Sequence, residues 1–225
     1  MLDFDYPSIE IPKGVGLCLD IGCGSGRHRK WIEGRGYKWV GVDIDTSRGV
    51  ARLLEADACQ LPFKSGIFSV VWMNCILEHV GNPWIALSEI YRVTARGGLI
   101  AGVSGYLDPD ATHMCALSYL GLRKVLTDVG FKNLKIRPAT FAFPVILRKY
   151  FMYLFGNTKQ STFLAFTICK GIFVIFQVAY LSIGWLKNLI TKRSLSEYKK
   201  RIEQRNQEIA RDFAAYFVFG ARKED

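Results

Sequence analysis

The feature that most constrains this chain is an apolar strand that runs directly into a glycine-rich turn. Residues 15–21 are largely apolar, and Gly22, Gly24 and Gly26 follow at alternate positions. Glycine adopts positive φ without steric cost and lets the backbone approach a ligand closely. Residues 27–34 then have the character of a helix. A strand, a glycine turn and a helix in this order predict one unit of a nucleotide-binding α/β sheet.

Short apolar runs and helix-like segments continue to alternate along the chain. Strands that are apolar throughout are expected where helices cover both faces of a parallel sheet. The sequence therefore predicts a doubly wound, Rossmann-like α/β sheet of seven strands, with a helical apolar insertion between strands six and seven. Besides the first unit, the predicted strands are 37–44, 53–56, 68–74, 99–104, 131–137 and 214–222, and the predicted helices are 84–94, ended by residues 96–98, and 119–129, ended by Gly130.

Three acidic or basic positions bear on the kind of nucleotide. The fingerprint of dinucleotide-binding folds needs its third glycine at position 27, where this chain has Arg27. Asp20 stands just before the turn, where a carboxylate opposes a pyrophosphate but suits a cationic amine. Asp43 ends the second strand and is placed to accept hydrogen bonds from ribose hydroxyls, as in both classes of site. The balance favours an adenosyl ligand without phosphates over a nicotinamide dinucleotide.

Six ordered segments carry a resemblance to a known family. They are 20–26, 41–43, 56–58 with 61–63, 68–74, 77–80, and 89–93 with Gly97-Gly98. Together they resemble the class I S-adenosylmethionine-dependent methyltransferases, in particular the small-substrate branch related to ubiquinone and menaquinone methyltransferases. The similarity covers about residues 15–136. It implies a methyltransferase sheet, S-adenosyl-L-methionine as the cofactor, and methyl transfer as the activity.

The resemblance also implies which residues hold the cofactor. The glycine loop would hold its methionine part, Asp43 its ribose, and Asp57 its adenine amino group. The implied cofactor-binding residues are Asp20, Gly22, Cys23, Gly24, Gly26, Asp43, Ile44, Asp57, Ala58 and Asn74.

Transfer of a methyl group from a sulfonium needs alignment and exclusion of water, but no metal. An oxygen or carbon nucleophile also needs a proton acceptor. Of the three histidines, His79 follows the fourth strand and His113 follows the fifth, so both are candidate catalytic residues, although each can equally be a structural or surface histidine. His28 lies nearer the cofactor. The six cysteines form no CxxC or CxxH motif, which predicts no metal site and a reduced compartment.

The sequence predicts three parts: a core of residues 1–137, an insertion of residues 138–212 and a final core strand within 213–225. Residues 163–186 are an apolar run interrupted by Lys170 and Gln177, long enough to be a candidate membrane span. A single crossing would separate strand seven from its sheet, so a helix or hairpin lying in the membrane interface is the preferred interpretation. A helical lid and a homodimer interface are the alternatives.

The charge distribution supports two different roles for the two halves. Lys and Arg balance Asp and Glu in residues 1–134, and residues 135–225 carry the whole net charge of +10. Basic residues beside aromatic and apolar ones are typical of an anchor on an anionic membrane surface. The basic cluster 199–201 has no accompanying RNA-binding module, which argues against a nucleic-acid partner. Residues 1–16 have no apolar signal region, so we expect a cytoplasmic protein held peripherally at the membrane through residues 138–212.

These patterns predict methyl transfer to an oxygen, carbon or nitrogen atom of a lipophilic or lipid-linked small molecule. One alternative is a catalytically silent cofactor-binding or membrane-scaffold protein with the same fold. A nicotinamide-dependent oxidoreductase is the other alternative, and Asp20 and Arg27 disfavour it.

Overall fold

The computed structural model describes residues 11–45, 47, 53–105, 112–141, 204 and 214–224. The chain divides into two compact units, one of Met1–Ala139 with Tyr216–Asp225 and one of Thr140–Ala215. The elements are β1 (Leu17–Ile21), α1 (Arg29–Glu33), β2 (Lys38–Asp43), β3 (Leu53–Glu55), β4 (Phe68–Asn74), α2 (Pro83–Val93), β5 (Thr94–Gly105), α3 (Tyr119–Val129), β6 (Lys132–Phe141) and β7 (Ala214–Arg222).

The strands form one seven-stranded sheet in the order β3-β2-β1-β4-β5-β7-β6. β1 pairs in parallel with β2 and β4, and β4 pairs in parallel with β5. β7 is antiparallel to β5, with Leu99 opposite Arg222 and Gly105 opposite Tyr216. The predicted seven-stranded α/β sheet is therefore confirmed, and the order reverses beside β1, where such sheets bind ligands.

The helices cover both faces of the sheet. The step from β1 to β2 and the step from β4 to β5 run in opposite directions, so right-handed crossovers place α1 on one face and α2 on the other. α3 packs against α2. The buried face of α2 consists of Ala86, Leu87, Ile90 and Val93, which follow helical spacing.

Local sequence explains where α2 and α3 begin and end. The Asn82 side chain accepts hydrogen bonds from the amides of Trp84 and Ile85, and Pro83 follows at the first helical position. The Ser118 hydroxyl accepts from the Gly121 amide at the start of α3. Gly130 ends α3 in the left-handed conformation, with φ of 113°. The predicted bounds of β4, α3 and β7 are confirmed.

The predicted start of β5 at residue 99 is wrong. α2 ends at Val93 and β5 begins at once with Thr94, whose hydroxyl donates to the Ile90 carbonyl at 2.6 Å. Thr94 pairs with Phe68 and Leu99 pairs with Val70, so residues 95–98 form an irregular stretch within the strand. Gly97 lies there at φ 69°. The two glycines make a bulge in the strand and do not end the helix.

Other predicted bounds differ less. α1 is shorter than predicted, Arg29–Glu33, because residues 27 and 28 form a turn. β6 extends further than predicted, to Phe141. Among the described residues, no helix is long and apolar enough to cross a membrane. The apolar run 163–186 and the basic cluster 199–201 lie outside the described residues.

Candidate functional site

The glycine loop turns sharply at the carboxyl end of β1. Gly22, Gly24 and Gly26 have φ values of 65°, 52° and 70°, all in the left-handed region. The amides of Gly22 and Cys23 both donate to the Val42 carbonyl, at 2.8 and 3.1 Å. The loop is thereby fastened to the end of β2. A Cβ at Gly22 would overlap the Ile76 side chain, so this position has room for backbone only.

Asp43 joins the end of β2 to the glycine loop. Its Oδ2 accepts a hydrogen bond of 2.7 Å from the Gly24 amide, and its Oδ1 accepts one of 3.0 Å from the Asp45 amide. Each carboxylate oxygen has two lone pairs, so both keep capacity to accept from ribose hydroxyls. Ile44 follows with 73% of its surface exposed, an apolar side chain that a planar adenine could cover.

Asp20 is buried beneath the loop, with 1% of its surface exposed. Its Oδ2 accepts a hydrogen bond of 3.0 Å from the Trp39 indole. Its Oδ1 lies 3.9 Å from Nδ1 of His28, and neither atom has a hydrogen-bond partner among the described residues. Burial raises the pKa of Asp20 to about 7, and the Trp39 hydrogen bond and Arg27 oppose this.

His28 lies in the same site as Asp20 and is not grouped with His79 and His113. Burial and then Arg27 lower the pKa of His28 to about 4. Its ring meets the Trp72 ring edge-on, with centroids 5.6 Å apart. Between about pH 4 and about pH 7 His28 and Asp20 are therefore both mostly uncharged, and their 3.9 Å separation is not an ion pair in that range.

The predicted adenine side is held together by an ion pair from α2. Asp57 Oδ1 accepts from the Cys59 amide at 2.8 Å, and Ala58 is buried. Glu89 and Arg92 pair at 2.7 Å, and Glu89 accepts from the Leu61 amide at 2.9 Å. The Arg92 guanidinium also donates to the carbonyls of Leu61 and Phe63, at 2.9 and 2.6 Å. Sequence reasoning placed the segments 61–63 and 89–93 in one family pattern but did not predict this brace.

A second group of polar side chains lies beyond the ends of β4 and β5. Asn74 ends β4, is 7% exposed, and its Oδ1 has no partner among the described residues. The rings of His79 and His113 meet edge-on, with centroids 4.8 Å apart. The structure thus brings together the two histidines that the sequence singled out from separate loops.

Glu78 joins these two histidines, and sequence reasoning missed it. It is 1% exposed, its Oε1 accepts from the Gly105 amide at 2.8 Å, and its Oε2 has no partner in the described part of the chain. Burial raises the pKa of Glu78, and the hydrogen bonds and both histidines oppose this. The signal in the sequence was an acidic residue set between apolar Leu77 and His79.

The residues present fit S-adenosylmethionine. Asn74 and Asp20 each have a buried side-chain oxygen without a partner among the described residues, and Ile44 exposes an apolar face. At Gly22 the loop packs against Ile76 with backbone alone, because a Cβ there would overlap that side chain. These features lie along the carboxyl edge of β1, β2 and β4. No phosphate-binding third glycine is present, since Arg27 occupies that position.

Comparison with known proteins agrees with this assignment. Residues 19–102 match a family model described as a methyltransferase domain. A protein of Mycobacterium sp. (strain JLS), named as an uncharacterized methyltransferase, is 32% identical over 129 residues, which are 53% of this chain and 51% of the relative. The malonyl-[acyl-carrier protein] O-methyltransferase of Salmonella typhimurium is 31% identical over 91 residues, 37% of this chain and 36% of that protein. The chain spans about half the length of the first of these relatives.

The fold also has a counterpart among solved structures. Phosphoethanolamine N-methyltransferase 2 of Haemonchus contortus, in complex with S-adenosyl-L-methionine, aligns with a TM-score of 0.55 and 19% identity over 96% of this chain and 50% of that one. Identity at this level supports the fold alone. Fold and matched segment agree: residues 19–102, which match the methyltransferase-domain model, lie within a seven-stranded α/β sheet.

Proposed function

We propose that the whole chain is a methyltransferase that transfers a methyl group from S-adenosylmethionine to an oxygen, carbon or nitrogen atom of a lipophilic or lipid-linked small molecule. The observation that carries the proposal is the 2.7 Å hydrogen bond from the Gly24 amide to Asp43. It fixes the glycine loop and the ribose-side acid as one unit. S-adenosylmethionine supplies, when bound, a methyl group on a positively charged sulfur.

The cofactor side is formed by the loops after β1, β2 and β3. The glycine loop and Asp20 would take the methionine part, with Asn74 at the neighbouring strand end. Asp43 would accept from the ribose, and Ile44 with Ala58 and Asp57 would surround the adenine. The Arg92–Glu89 brace holds the 57–63 segment in place for this purpose.

The acceptor side lies beyond β4 and β5, where His79 and His113 are candidates to take a proton from the acceptor. His79 is exposed, and its Nδ1 lies 3.2 Å from the Thr112 carbonyl. If Nδ1 donates to that carbonyl, Nε2 is left free to accept a proton. An imidazole with this orientation suits a hydroxyl or ammonium acceptor.

The insertion, and not the similarity to the relatives, supports a lipophilic acceptor. The names of the relatives give two different acceptors, a malonyl group on acyl-carrier protein and phosphoethanolamine. In this chain the apolar run 163–186 has basic residues on both sides, including Arg148, Lys187 and Lys192. That pattern supports peripheral attachment to an anionic membrane, where a lipid-linked acceptor would be met.

Titration calorimetry with S-adenosylhomocysteine tests the cofactor site. We expect binding by the full chain and at least tenfold weaker binding by Asp43→Ala, because the ribose acceptor and the anchor of Gly24 are both lost. The matched control is Asp128→Ala, which removes an exposed carboxylate paired with Lys124. No binding, or equal binding by Asp43→Ala and the wild type, contradicts the proposal. Binding of a nicotinamide dinucleotide instead would favour the oxidoreductase.

Flotation with vesicles tests the membrane assignment. The full chain should float with vesicles that contain anionic lipid, and neutralising Lys187, Lys192 and Arg193 to glutamine should abolish this. The control neutralises Lys38, Lys132 and Lys135, which are exposed on the core. If the full chain does not float with anionic vesicles, peripheral attachment is refuted. Light scattering then tests whether the chain forms a homodimer through residues 138–212.

Incubation of a membrane lipid extract with methyl-labelled cofactor tests the acceptor class. Label should enter the lipid-soluble fraction in the presence of the full chain and not with Asp43→Ala. Binding of S-adenosylhomocysteine without any transfer of label to lipid or to polar fractions would instead favour the catalytically silent protein.

A further inference from the structure

Glu78, His79 and His113 form a cluster of potential metal ligands at the acceptor end of the sheet. One carboxylate oxygen of Glu78 and one ring nitrogen of each histidine all lie within 4.8 Å of one another. Glu78 and His79 come from the loop after β4, and His113 comes from the loop after β5. The same edge carries the glycine loop, because Ile76, two residues before Glu78, packs against Gly22.

The Glu78 carboxylate is held in place by a hydrogen bond to one of its two oxygens. Its Oε1 accepts the Gly105 amide at 2.8 Å, while Oε2 is buried without a partner among the described residues. Exposed acidic groups commonly occur without a metal, but this side chain is 1% exposed. A buried carboxylate oxygen without a partner is unfavourable, and a bound cation removes that penalty.

The two histidines are oriented by the same short segment of chain. His79 Nδ1 lies 3.2 Å from the Thr112 carbonyl, immediately before His113. Metal-binding histidines usually donate their second ring nitrogen to such a carbonyl, which fixes the tautomer and leaves Nε2 for the ion. The Glu78 carbonyl accepts from the amides of Met114 and Cys115, at 2.8 and 3.2 Å. The loop that carries His113 is thereby fastened to Glu78 itself.

We propose that Glu78, His79 and His113 bind a divalent transition ion of the zinc type. Two imidazoles and one carboxylate are a known ligand set for Zn²⁺ sites that keep a coordination position open. Ligands about 2.0–2.1 Å from a tetrahedral ion are about 3.4 Å apart, so the largest separation must shorten by somewhat more than 1 Å. Rotation of His79, which is exposed, and His113, which is half-buried, can supply this.

The open position would take water or an oxygen atom of the acceptor. An acceptor hydroxyl bound there would release its proton to solvent water more readily, because the cation stabilises the oxyanion. An ion at this position favours acceptors that are methylated on oxygen, and this preference rests on the proposed function. Binding of the ion itself does not depend on the proposed function. If the ion site fails, the two histidines keep the role of proton acceptors.

Cobalt is a suitable probe because its visible absorption reports its ligands. The full chain, dialysed against chelator, should bind one Co²⁺ with nitrogen and oxygen ligands, and Zn²⁺ should displace it. We expect at least tenfold weaker binding in His113→Ala and in Glu78→Gln. His28→Ala is the matched control, since it removes the third histidine, which contacts Asp20 and is not part of the cluster. Absence of stoichiometric binding, or equal binding by His113→Ala and the wild type, overturns the proposal.

Two further readouts make the result unambiguous. Cys115 lies beside the cluster, with its Sγ donating to the Leu77 carbonyl at 3.1 Å. Sulfur-to-cobalt charge-transfer bands that disappear in Cys115→Ser would show a thiolate ligand and overturn the proposed ligand set. S-adenosylhomocysteine binding is measured in His113→Ala, Glu78→Gln and Cys115→Ser and should stay within twofold of the wild type. If the wild type binds the ion but does not bind S-adenosylhomocysteine, the methyltransferase function is contradicted and the ion site is not.

Discussion

The backbone amide of Gly24 and the carboxylate of Asp43 are joined by a hydrogen bond of 2.7 Å across the ends of β1 and β2. The other oxygen of Asp43 accepts the Asp45 amide at 3.0 Å. One side chain therefore shapes both loops of the candidate cofactor site before any ligand is bound. Preorganisation of this kind lowers the entropic cost of ligand binding. Because the same side chain also holds the two loops together, a substitution of Asp43 should change both stability and cofactor binding.

Replacing Asp43 with asparagine should destabilise the fold as well as weaken cofactor binding. The amide side chain can still accept from Gly24, but the acceptor is no longer charged. Hydrogen bonds to charged groups contribute about 1 kcal/mol more than neutral ones, so we expect a loss of about 1 kcal/mol in the free energy of unfolding. Urea denaturation measures it. Asp128→Asn, at an exposed carboxylate on α3, should leave the midpoint unchanged, and an equal effect of the two substitutions would contradict the role of Asp43.

Buried Asp20 and the partly buried His28 beside it should give the protein two opposing pH dependences. Burial raises the pKa of Asp20 from 3.8 to about 7, so the folded state keeps a proton that the unfolded state loses, and this contribution to stability declines as pH rises from 3.8 to about 7. Burial lowers the pKa of His28 from 6.5 to about 4, so its contribution declines as pH falls from 6.5 to about 4. Between about pH 4 and 6.5 the two slopes largely cancel in the wild type.

Single substitutions should separate these slopes. His28→Gln leaves Asp20 alone, and its stability should fall with rising pH by up to about 1.4 kcal/mol per pH unit relative to the wild type. Asp20→Asn leaves His28 alone, and its stability should rise with pH over the same interval. Urea denaturation at a series of pH values from 4 to 7 measures both. Curves that run parallel to that of the wild type would show that neither group changes its protonation on folding.

Much of the sheet could be predicted from sequence because its central strands are buried on both faces. β4 and β7 are continuous apolar runs, and their predicted bounds are confirmed. α3 has a serine before it and a glycine after it, both of which act as caps. The start of β5 could not be predicted, because a pair of glycines such as Gly97 and Gly98 is also typical of the end of a helix. Only the pairing of Thr94 with Phe68 shows that the strand has already begun.

The candidate site could be predicted only where its residues follow one another along the chain. The glycine loop and Asp43 belong to sequence patterns with fixed spacing. Glu78 and His113 come from different loops, and their proximity depends on the parallel pairing of β4 with β5. His28 has no neighbour in sequence that indicates Asp20 as its contact. Nor does any local pattern show that Arg92 would reach back to Leu61 and Phe63.

Arg92→Lys should loosen the adenine side of the site. The guanidinium donates to two backbone carbonyls and pairs with both oxygens of Glu89. Lysine has a single ammonium and cannot maintain this planar set of contacts. Because the side chain is about a third exposed, we expect a loss of about 1 kcal/mol in stability. Thermal unfolding with and without S-adenosylhomocysteine measures it.

The outcome for Arg92→Lys is judged against Arg123→Lys. Arg123 is exposed on α3, and its substitution should change neither the unfolding temperature nor the shift caused by ligand. A smaller ligand-induced shift in Arg92→Lys supports a brace that serves the site. Stability loss with a normal ligand-induced shift would instead restrict Arg92 to a structural role.

Two glycines with nearly the same positive φ allow the packing of the glycine loop to be measured apart from its backbone strain. Gly22 has φ of 65° and Gly66 has φ of 71°. A Cβ at Gly66 would meet nothing within 4 Å, whereas one at Gly22 would overlap the Ile76 side chain. Gly66→Ala therefore carries only the cost of a left-handed alanine, about 1–2 kcal/mol. Gly22→Ala should cost about 1 kcal/mol more, because Ile76 must move.

The same comparison separates folding from ligand binding. Gly66→Ala lies away from the loop after β1 and should bind S-adenosylhomocysteine as the wild type does. Gly22→Ala should bind it at least tenfold more weakly, since an alanine at a φ of 65° strains the loop that would contact the ligand. The double variant Gly22→Ala with Ile76→Ala relieves the overlap and should recover the excess loss of stability. It should not recover binding, and full recovery of binding would show that Gly22 matters only for packing against Ile76.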